Sequence, residues 1–280
     1  MYKEIEFENW NDLKSYLTTY NSNWIFRGQE DYSWRLQSSI DRVSFKNEIA
    51  NQKKHFEEFY IRDIKRNPHL YADKFNVNSD FQVLSLLQHY GIPTRLVDFS
   101  ASPYVAAFFA VINSETDSSI FAIDYFQLLN CTGILFGTKY KDEDCVHIKN
   151  FMAGGGMSDD DIFKGIILKK EQRKFIEVVQ PFFLFDRMIQ QNGIFLCQGD
   201  INCDFEENLS MNHSVLNKVP NAHQYFKLKI KAAWKDEIVR DLRKMNITSA
   251  SLFPGIEGYL KSLKNTFDIY MADRGDSLVE

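Results

Sequence analysis

Residues 26–29 read FRGQ and residues 86–100 read LLQHYGIPTRLVDFS, and these two segments carry most of the information about the chain. Phe26 predicts a strand that enters the core. Gly28 lacks a Cβ, as is needed where a chain bends or where a ligand approaches the backbone. Arg27 lies between them and can approach a bound group closely. Packing alone rarely requires these polar types at these places, so the pattern favours a binding site.

Helical and extended patterns alternate outward from these two segments. Helices are predicted by caps and by apolar spacing of three and four, at residues 10–17, 47–65, 79–90, 103–112, 234–245 and 254–263. Strands are predicted at residues 24–27, 94–99, 119–125, 174–179, 194–198 and 225–231. No internal repeat interrupts this order, which favours one α+β domain over residues 1–280 with a mixed sheet and packed helices.

Local signals define several element ends. Asn9, Ser79 and Ser102 are predicted N-caps, and Gly91 is predicted to end the helix that contains His89. Residues 126–174 have few periodic signals and include a glycine triplet, so we interpret them as an insertion that acts as a lid over a cleft. Residues 225–231 alternate apolar residues with lysines, which predicts a half-exposed edge strand or, less simply, a nucleic-acid surface.

Composition excludes some classes of function. The chain has 280 residues and a formal net charge of -5, which argues against bulk attraction to phosphate backbones or anionic membranes. Its opening residues are too charged for a signal sequence, and no apolar window reaches the length of a membrane span. Four scattered cysteines predict reduced thiols and no metal site, which is typical of a cytoplasmic protein.

Four segments together resemble one family. The FRG tripeptide is joined by HYGIPTRLVD at residues 89–98, SPYVAAFFA at 102–110 and RMIQQNGIF at 187–195. This combination resembles the FRG domain, a bacterial and phage family named after the tripeptide. The resemblance covers roughly residues 24–125 together with 187–195. It implies an α+β fold and a place in a bacterial anti-phage or toxin system.

A second resemblance is to one branch of the ADP-ribosyltransferases. Those enzymes carry an aromatic-Arg-Gly on a first strand, then Ser-x-Ser before a helix with small apolar residues, then a glutamate; residues 100–102 read SAS here. The resemblance implies an ADP-ribosyltransferase-like core, NAD as substrate and a protein or nucleic-acid acceptor. The cofactor-binding residues it implies are Arg27, Gly28, Gln29, Asp98 and Arg187. The catalytic residues it implies are His89, Ser100, Gln191 and Glu177.

Each of these residues also has a structural interpretation. Arg27 could pair with a carboxylate such as Asp98, and Ser100 and Ser102 could both be N-caps. His89 at a helix C-terminus is favoured by the helix dipole alone. The missing glutamate could be Glu177 or Glu257, or Gln191 could take its place, and the last possibility favours a non-catalytic module that recognises a nucleotide or a nucleic acid.

Overall fold

In a computed structural model the chain forms a seven-stranded mixed sheet with helices packed on both faces. The structure describes residues 1–45, 51–72, 75, 77, 79–135, 167–168, 172–180, 186–218 and 225–277. The predicted mixed sheet with packed helices is therefore confirmed. Among the described helices, none is both long and apolar enough to span a bilayer.

The sheet places strands from distant parts of the chain side by side. Its strands are β1 (Tyr2–Ile5), β2 (Trp24–Gln29), β3 (Leu96–Ser100), β4 (Ser118–Asp124), β5 (Ile176–Val179), β6 (Gly193–Gln198) and β7 (Tyr225–Ile230). Their order across the sheet is β1-β7-β4-β2-β3-β6-β5. β1 and β7 are parallel, and the remaining neighbours are antiparallel. β2 and β3, which carry the two sequence motifs, thus lie at the centre.

Helices cover the sheet. They are α1 (Trp10–Leu17), α2 (Gln52–Arg66), α3 (Asp80–His89), α4 (Pro103–Val111), α5 (Tyr125–Leu135), α6 (Asp186–Gln190), α7 (Phe205–Leu216), α8 (Lys235–Lys244), α9 (Ser249–Leu252) and α10 (Ile256–Ser277). Short 3-10 turns lie at Ile40–Arg42, Pro68–Leu70 and Ala232–Trp234. α1, α4 and α8 pack on one face of the sheet, and α5 and α7 pack on the other.

The predicted caps are confirmed. Asn9, Ser79 and Ser102 each accept a hydrogen bond from a backbone N–H three residues on, which satisfies one of the orphan donors of a helix start. Gly91 follows α3 with a φ of 76°, a left-handed conformation that glycine adopts without steric cost. These element ends depend on adjacent residues, so they are readable from sequence.

Gly28 allows β2 and α4 to pack together at very short range. A Cβ built on Gly28 would lie 1.9 Å from the Ala106 carbonyl oxygen and 2.6 Å from the Ala110 backbone nitrogen. The missing side chain therefore makes room for a helix backbone. Gly28 also lines the pocket, so the approach of a ligand to its backbone stays a prediction.

Two sequence predictions are corrected. β7 is not an edge strand, because it lies between β1 and β4, and its Lys227 is only 9% exposed. The start of the predicted insertion belongs to the core, since Leu128 and Cys131 of α5 are fully buried under the sheet. The glycine triplet at 154–156 lies outside the described residues, so the lid stays a prediction.

Candidate functional site

The two central strands separate where the motif residues begin. β2 pairs with β4 along its whole length, and β3 does the same with β6. Between β2 and β3, both fully described, the single residue pair is Phe26 with Ser100. Beyond that pair the strands diverge, and a pocket of about 550 Å³ lies beside them. This volume is within the range of small-molecule sites.

The pocket wall is basic and aromatic. Four arginines line it: Arg27, Arg35, Arg42 and Arg187. Two carboxylates line it: Glu30 and Asp98. Four aromatic residues line it: Phe26, Trp34, Phe99 and Phe109. The arginines outnumber the carboxylates, so the pocket favours an anionic ligand, although the whole chain carries a net charge of -5.

Arg27 lies in the gap between the strands. Its Nη1 donates to the Asp98 backbone carbonyl at 2.6 Å, and its buried Nε has no hydrogen-bond partner among the described residues. Burial lowers the pKa of the guanidinium; the nearby Arg42 acts in the same direction, and Asp98 opposes both. The Asp98 carboxylate instead accepts from the Gln88 amide at 2.7 Å. Arg27 therefore has donor capacity that the protein does not use.

Ser100 and Gln191 join β3 to the segment after α6. The Ser100 hydroxyl donates to the Gln191 carbonyl at 2.7 Å and accepts from the Ser102 backbone N–H at 3.0 Å. The Gln191 amide donates to the Leu252 carbonyl at 3.1 Å. Both residues line the pocket. Their polar groups are nevertheless held by the protein itself.

Arg187 lines the pocket from α6 and not from the two central strands. Its guanidinium lies 4.9 Å from the centre of the Phe253 ring, a cation–π geometry that orients it. The predicted spacing of four from Arg187 to Gln191 is met at the end of α6, where the Gln191 backbone N–H donates to the Arg187 carbonyl. Arg187, Gln191 and Arg27 all line one cavity.

Gln29 is a largely buried polar residue of the wall, with 8% exposure. Its amide nitrogen donates to the Arg35 carbonyl at 3.2 Å, while its Oε1 has no partner among the described residues. The Arg35 side chain is paired with Glu206, to which its Nε donates at 2.6 Å. Arg42 donates to the Gln37 and Ser38 carbonyls. Gln29 thus adds one free acceptor to a wall rich in donors.

Two predicted catalytic residues do not line the pocket. His89 lies at the C-terminal end of α3, where burial and then the nearby Arg187 lower its pKa. Glu177 lies on β5 with 4% exposure, three strands away from β2, which corresponds to about 14 Å across the sheet. Glu257, the other carboxylate considered, is exposed at the start of α10. The carboxylates of the pocket are Asp98 and Glu30 instead.

The residues of the site that are not predicted from sequence include four from one segment. Glu30, Trp34, Arg35 and Arg42 lie in or just after the irregular segment that follows β2. This segment has neither helical nor alternating periodicity, so nothing in the pattern says which way its side chains point. The available signal is a tryptophan and an arginine placed together within a few residues of the FRG motif.

Comparison with known proteins identifies part of this chain. Residues 22–119 match the model of the FRG domain, which confirms the FRG resemblance for that segment, roughly a third of the chain. The matched segment contains β2, β3 and most of the pocket wall. Neither the curated proteins nor the solved structures gave a match.

Proposed function

We propose that the pocket between β2 and β3 binds a nucleotide through its phosphates, with NAD as the first candidate. The observation that carries the proposal is the unused donor of Arg27 in a cavity lined by three further arginines. A guanidinium can hold a phosphate by two parallel hydrogen bonds, and charge-assisted bonds contribute roughly 1.5–3 kcal/mol each. Trp34 and the other rings of the wall supply surface for a planar base.

The reaction proposed for NAD is ADP-ribosyl transfer. The bond between ribose C1 and the nicotinamide nitrogen breaks, neutral nicotinamide leaves, and a nucleophile of the acceptor, or water, bonds to C1. The sugar passes through an oxocarbenium-like state that a carboxylate stabilises. Asp98 takes this role in the proposal, because it lines the pocket and its backbone carbonyl accepts from Arg27.

The second candidate is a recognition module that binds the nucleotide without reacting. One observation favours it: the Ser100 hydroxyl and the Gln191 amide, assigned to the reactive end by resemblance, are both engaged in hydrogen bonds within the protein. Such a module needs the arginines and the rings but no free acid or base.

Binding is tested by the thermal stability of the protein with NAD, ADP-ribose and ATP. A ligand at 100 times its dissociation constant raises the stability by about 2.7 kcal/mol, which gives a clear shift in Tm. We expect this shift in the wild type and its loss in Arg27→Ala. Arg27→Lys keeps the charge but loses the planar fork, so it should recover only part of the shift.

Arg62→Ala serves as the matched control, since Arg62 is exposed on α2 next to Phe59 and does not line the pocket. Nicotinamide release is then measured for the wild type and Asp98→Asn. Release that Asp98→Asn abolishes supports the transferase, and binding without release supports the recognition module. No shift with any of the three nucleotides, or an equal loss in Arg62→Ala, would overturn nucleotide binding at this site.

A further inference from the structure

The pocket wall includes both an unpaired acceptor, on Gln29, and an exposed ring, that of Trp34. The orientation of the Gln29 amide is fixed, because the Arg35 carbonyl needs a donor and the Gln29 nitrogen supplies it at 3.2 Å. The oxygen must therefore face away from Arg35. It is buried and has no partner among the described residues. A buried acceptor without a donor is costly, so this atom is a place for a ligand N–H.

Trp34 lies five residues after Gln29 in sequence and lines the same pocket. It is 51% exposed, whereas Trp10 and Trp24 are buried at 0% and 5%. Its backbone carbonyl accepts from Lys227 Nζ at 3.2 Å, which ties the segment after β2 to β7. The ring thus belongs to an anchored segment and still has free surface. Stacking of a base on an aromatic side chain contributes roughly 1–3 kcal/mol.

We infer that Gln29 and Trp34 form a base subsite that selects a base with an exocyclic amino group. The inference rests on the proposed function and deepens it. Phosphates cannot contact Gln29 Oε1 favourably, because a carbonyl oxygen repels phosphate oxygens. The arginines Arg27 and Arg187 take the phosphates. The base stacks on Trp34, and its amino group donates to Gln29 Oε1.

The test compares ATP with ITP. At C6 of the base ATP carries an amino group and ITP carries a carbonyl oxygen, and N1 of ITP also carries a hydrogen that N1 of ATP lacks. Inorganic tripolyphosphate measures the phosphate contribution alone. We expect the wild type to bind ATP about 10-fold or more tightly than ITP, since the carbonyl of ITP would oppose Gln29 Oε1 and leave it unpaired. Gln29→Met, which is similar in size and lacks the acceptor, should bring the ratio close to one while tripolyphosphate affinity is kept.

Trp34 supplies a second readout that does not depend on the Gln29 variant folding. ATP should quench the fluorescence of the wild type, and Trp34→Phe should lose that quenching but retain most of the affinity, because phenylalanine can still stack. Trp234→Phe is the matched control, since Trp234 does not line the pocket. It should leave the quenching unchanged.

The two proposals fail in different ways. Equal affinity of the wild type for ATP and ITP, with tripolyphosphate still bound through Arg27, would overturn the base subsite and leave the phosphate site intact. The same holds if ATP binds without quenching Trp34. A protein that binds neither the nucleotides nor tripolyphosphate would overturn the proposed function and the base subsite together.

Discussion

At the scale of single residues, Gly28 connects the motif to the fold. The FRG glycine faces the backbone of α4, and a side chain there would overlap main-chain atoms, which cannot rotate away. We expect Gly28→Ala to lower the free energy of unfolding by about 3 kcal/mol, the upper end of the range for overpacking. Urea denaturation followed by circular dichroism measures this change.

Gly193→Ala is the matched control for this prediction. A Cβ on Gly193 would meet its nearest atoms, all from Met188, at 3.4–3.6 Å, which is ordinary contact. The control should therefore lose less than about 1 kcal/mol. Equal losses in the two variants would mean that the close approach of β2 and α4 is not what makes Gly28 necessary.

Arg95 illustrates a motif residue with a structural role. It is fully buried, and its Nε donates to both carboxylate oxygens of Glu57, at 3.0 and 2.8 Å. Burial alone would lower the pKa of Arg95, but the Glu57 carboxylate raises it overall. Removing one partner of such a pair leaves an uncompensated buried charge. The GIPTRLVD segment is thus shared between the core, through Arg95, and the pocket, through Asp98.

At the scale of elements, Asp241 links α8 to α1 through a salt bridge and a hydrogen bond. Its carboxylate accepts from Lys14 Nζ at 2.8 Å and from the Trp10 indole at 3.0 Å. These hydrogen bonds, that from Lys14 first, lower the pKa of Asp241 to about 2. A carboxyl group whose pKa is depressed on folding stabilises the fold above its unfolded pKa of roughly 4, and this contribution is lost as the pH falls toward 2.

We therefore expect Asp241→Asn to be less stable than the wild type at pH 6 by on the order of 1 kcal/mol. The difference should narrow as the pH falls from about 4 to about 2, because the wild-type carboxylate becomes protonated. Urea denaturation at several pH values measures it. Lys14→Met should remove much of the same pH dependence. Stability curves of wild type and Asp241→Asn that run parallel over this range would contradict the role given to this link.

The local elements of the fold were readable from sequence, and the strand order was not. N-caps such as Ser102 depend on residues three positions away. The interior place of β7 depends on its pairing with β1, more than 200 residues earlier in the chain. Alternation of lysine and apolar residues predicts one buried and one exposed face of β7. Lys227 nevertheless lies under the rings of Tyr32 and Phe121, so the lysine face is partly covered. α5 was missed because a helix that is apolar on most sides has little periodicity.

The candidate site was predictable to the extent that it lies on regular elements. Arg27 and Ser100 occupy paired strands, and Gln191 directly follows α6, which contains Arg187, so their spacing carries geometric information. Trp34 belongs to an irregular segment whose position is set by tertiary contacts such as that with Lys227. Glu177 was misplaced because a strand sequence gives no information on how many strands separate it from β2.

At the scale of the whole molecule, the FRG match and the folding unit differ in extent. Residues 22–119 supply β2, β3 and two residues of β4, but the neighbours of those strands, β6 and β7, lie outside the match. Arg187 and Gln191 also lie outside it. We expect residues 22–119 expressed alone to lack a cooperative thermal transition, because both sides of the fragment's sheet would be unpaired.

Circular dichroism melts of this fragment and of the 280-residue chain make the comparison. The full chain should unfold in one steep transition. A fragment that melts cooperatively, or that gives dispersed amide resonances, would mean that the sequence motif is an independent folding unit and that the outer strands are additions.

The divergence of β2 from β3 has a consequence for how affinity is set. The residues that follow Phe26 in β2 and precede Ser100 in β3 face each other without completing a ladder. A ligand bound between β2 and β3 would therefore compete with the pairing of the two strands for the same backbone N–H and C=O groups. For the proposed nucleotide, we therefore expect substitutions outside the pocket to weaken binding if they make β2 and β3 pair more readily.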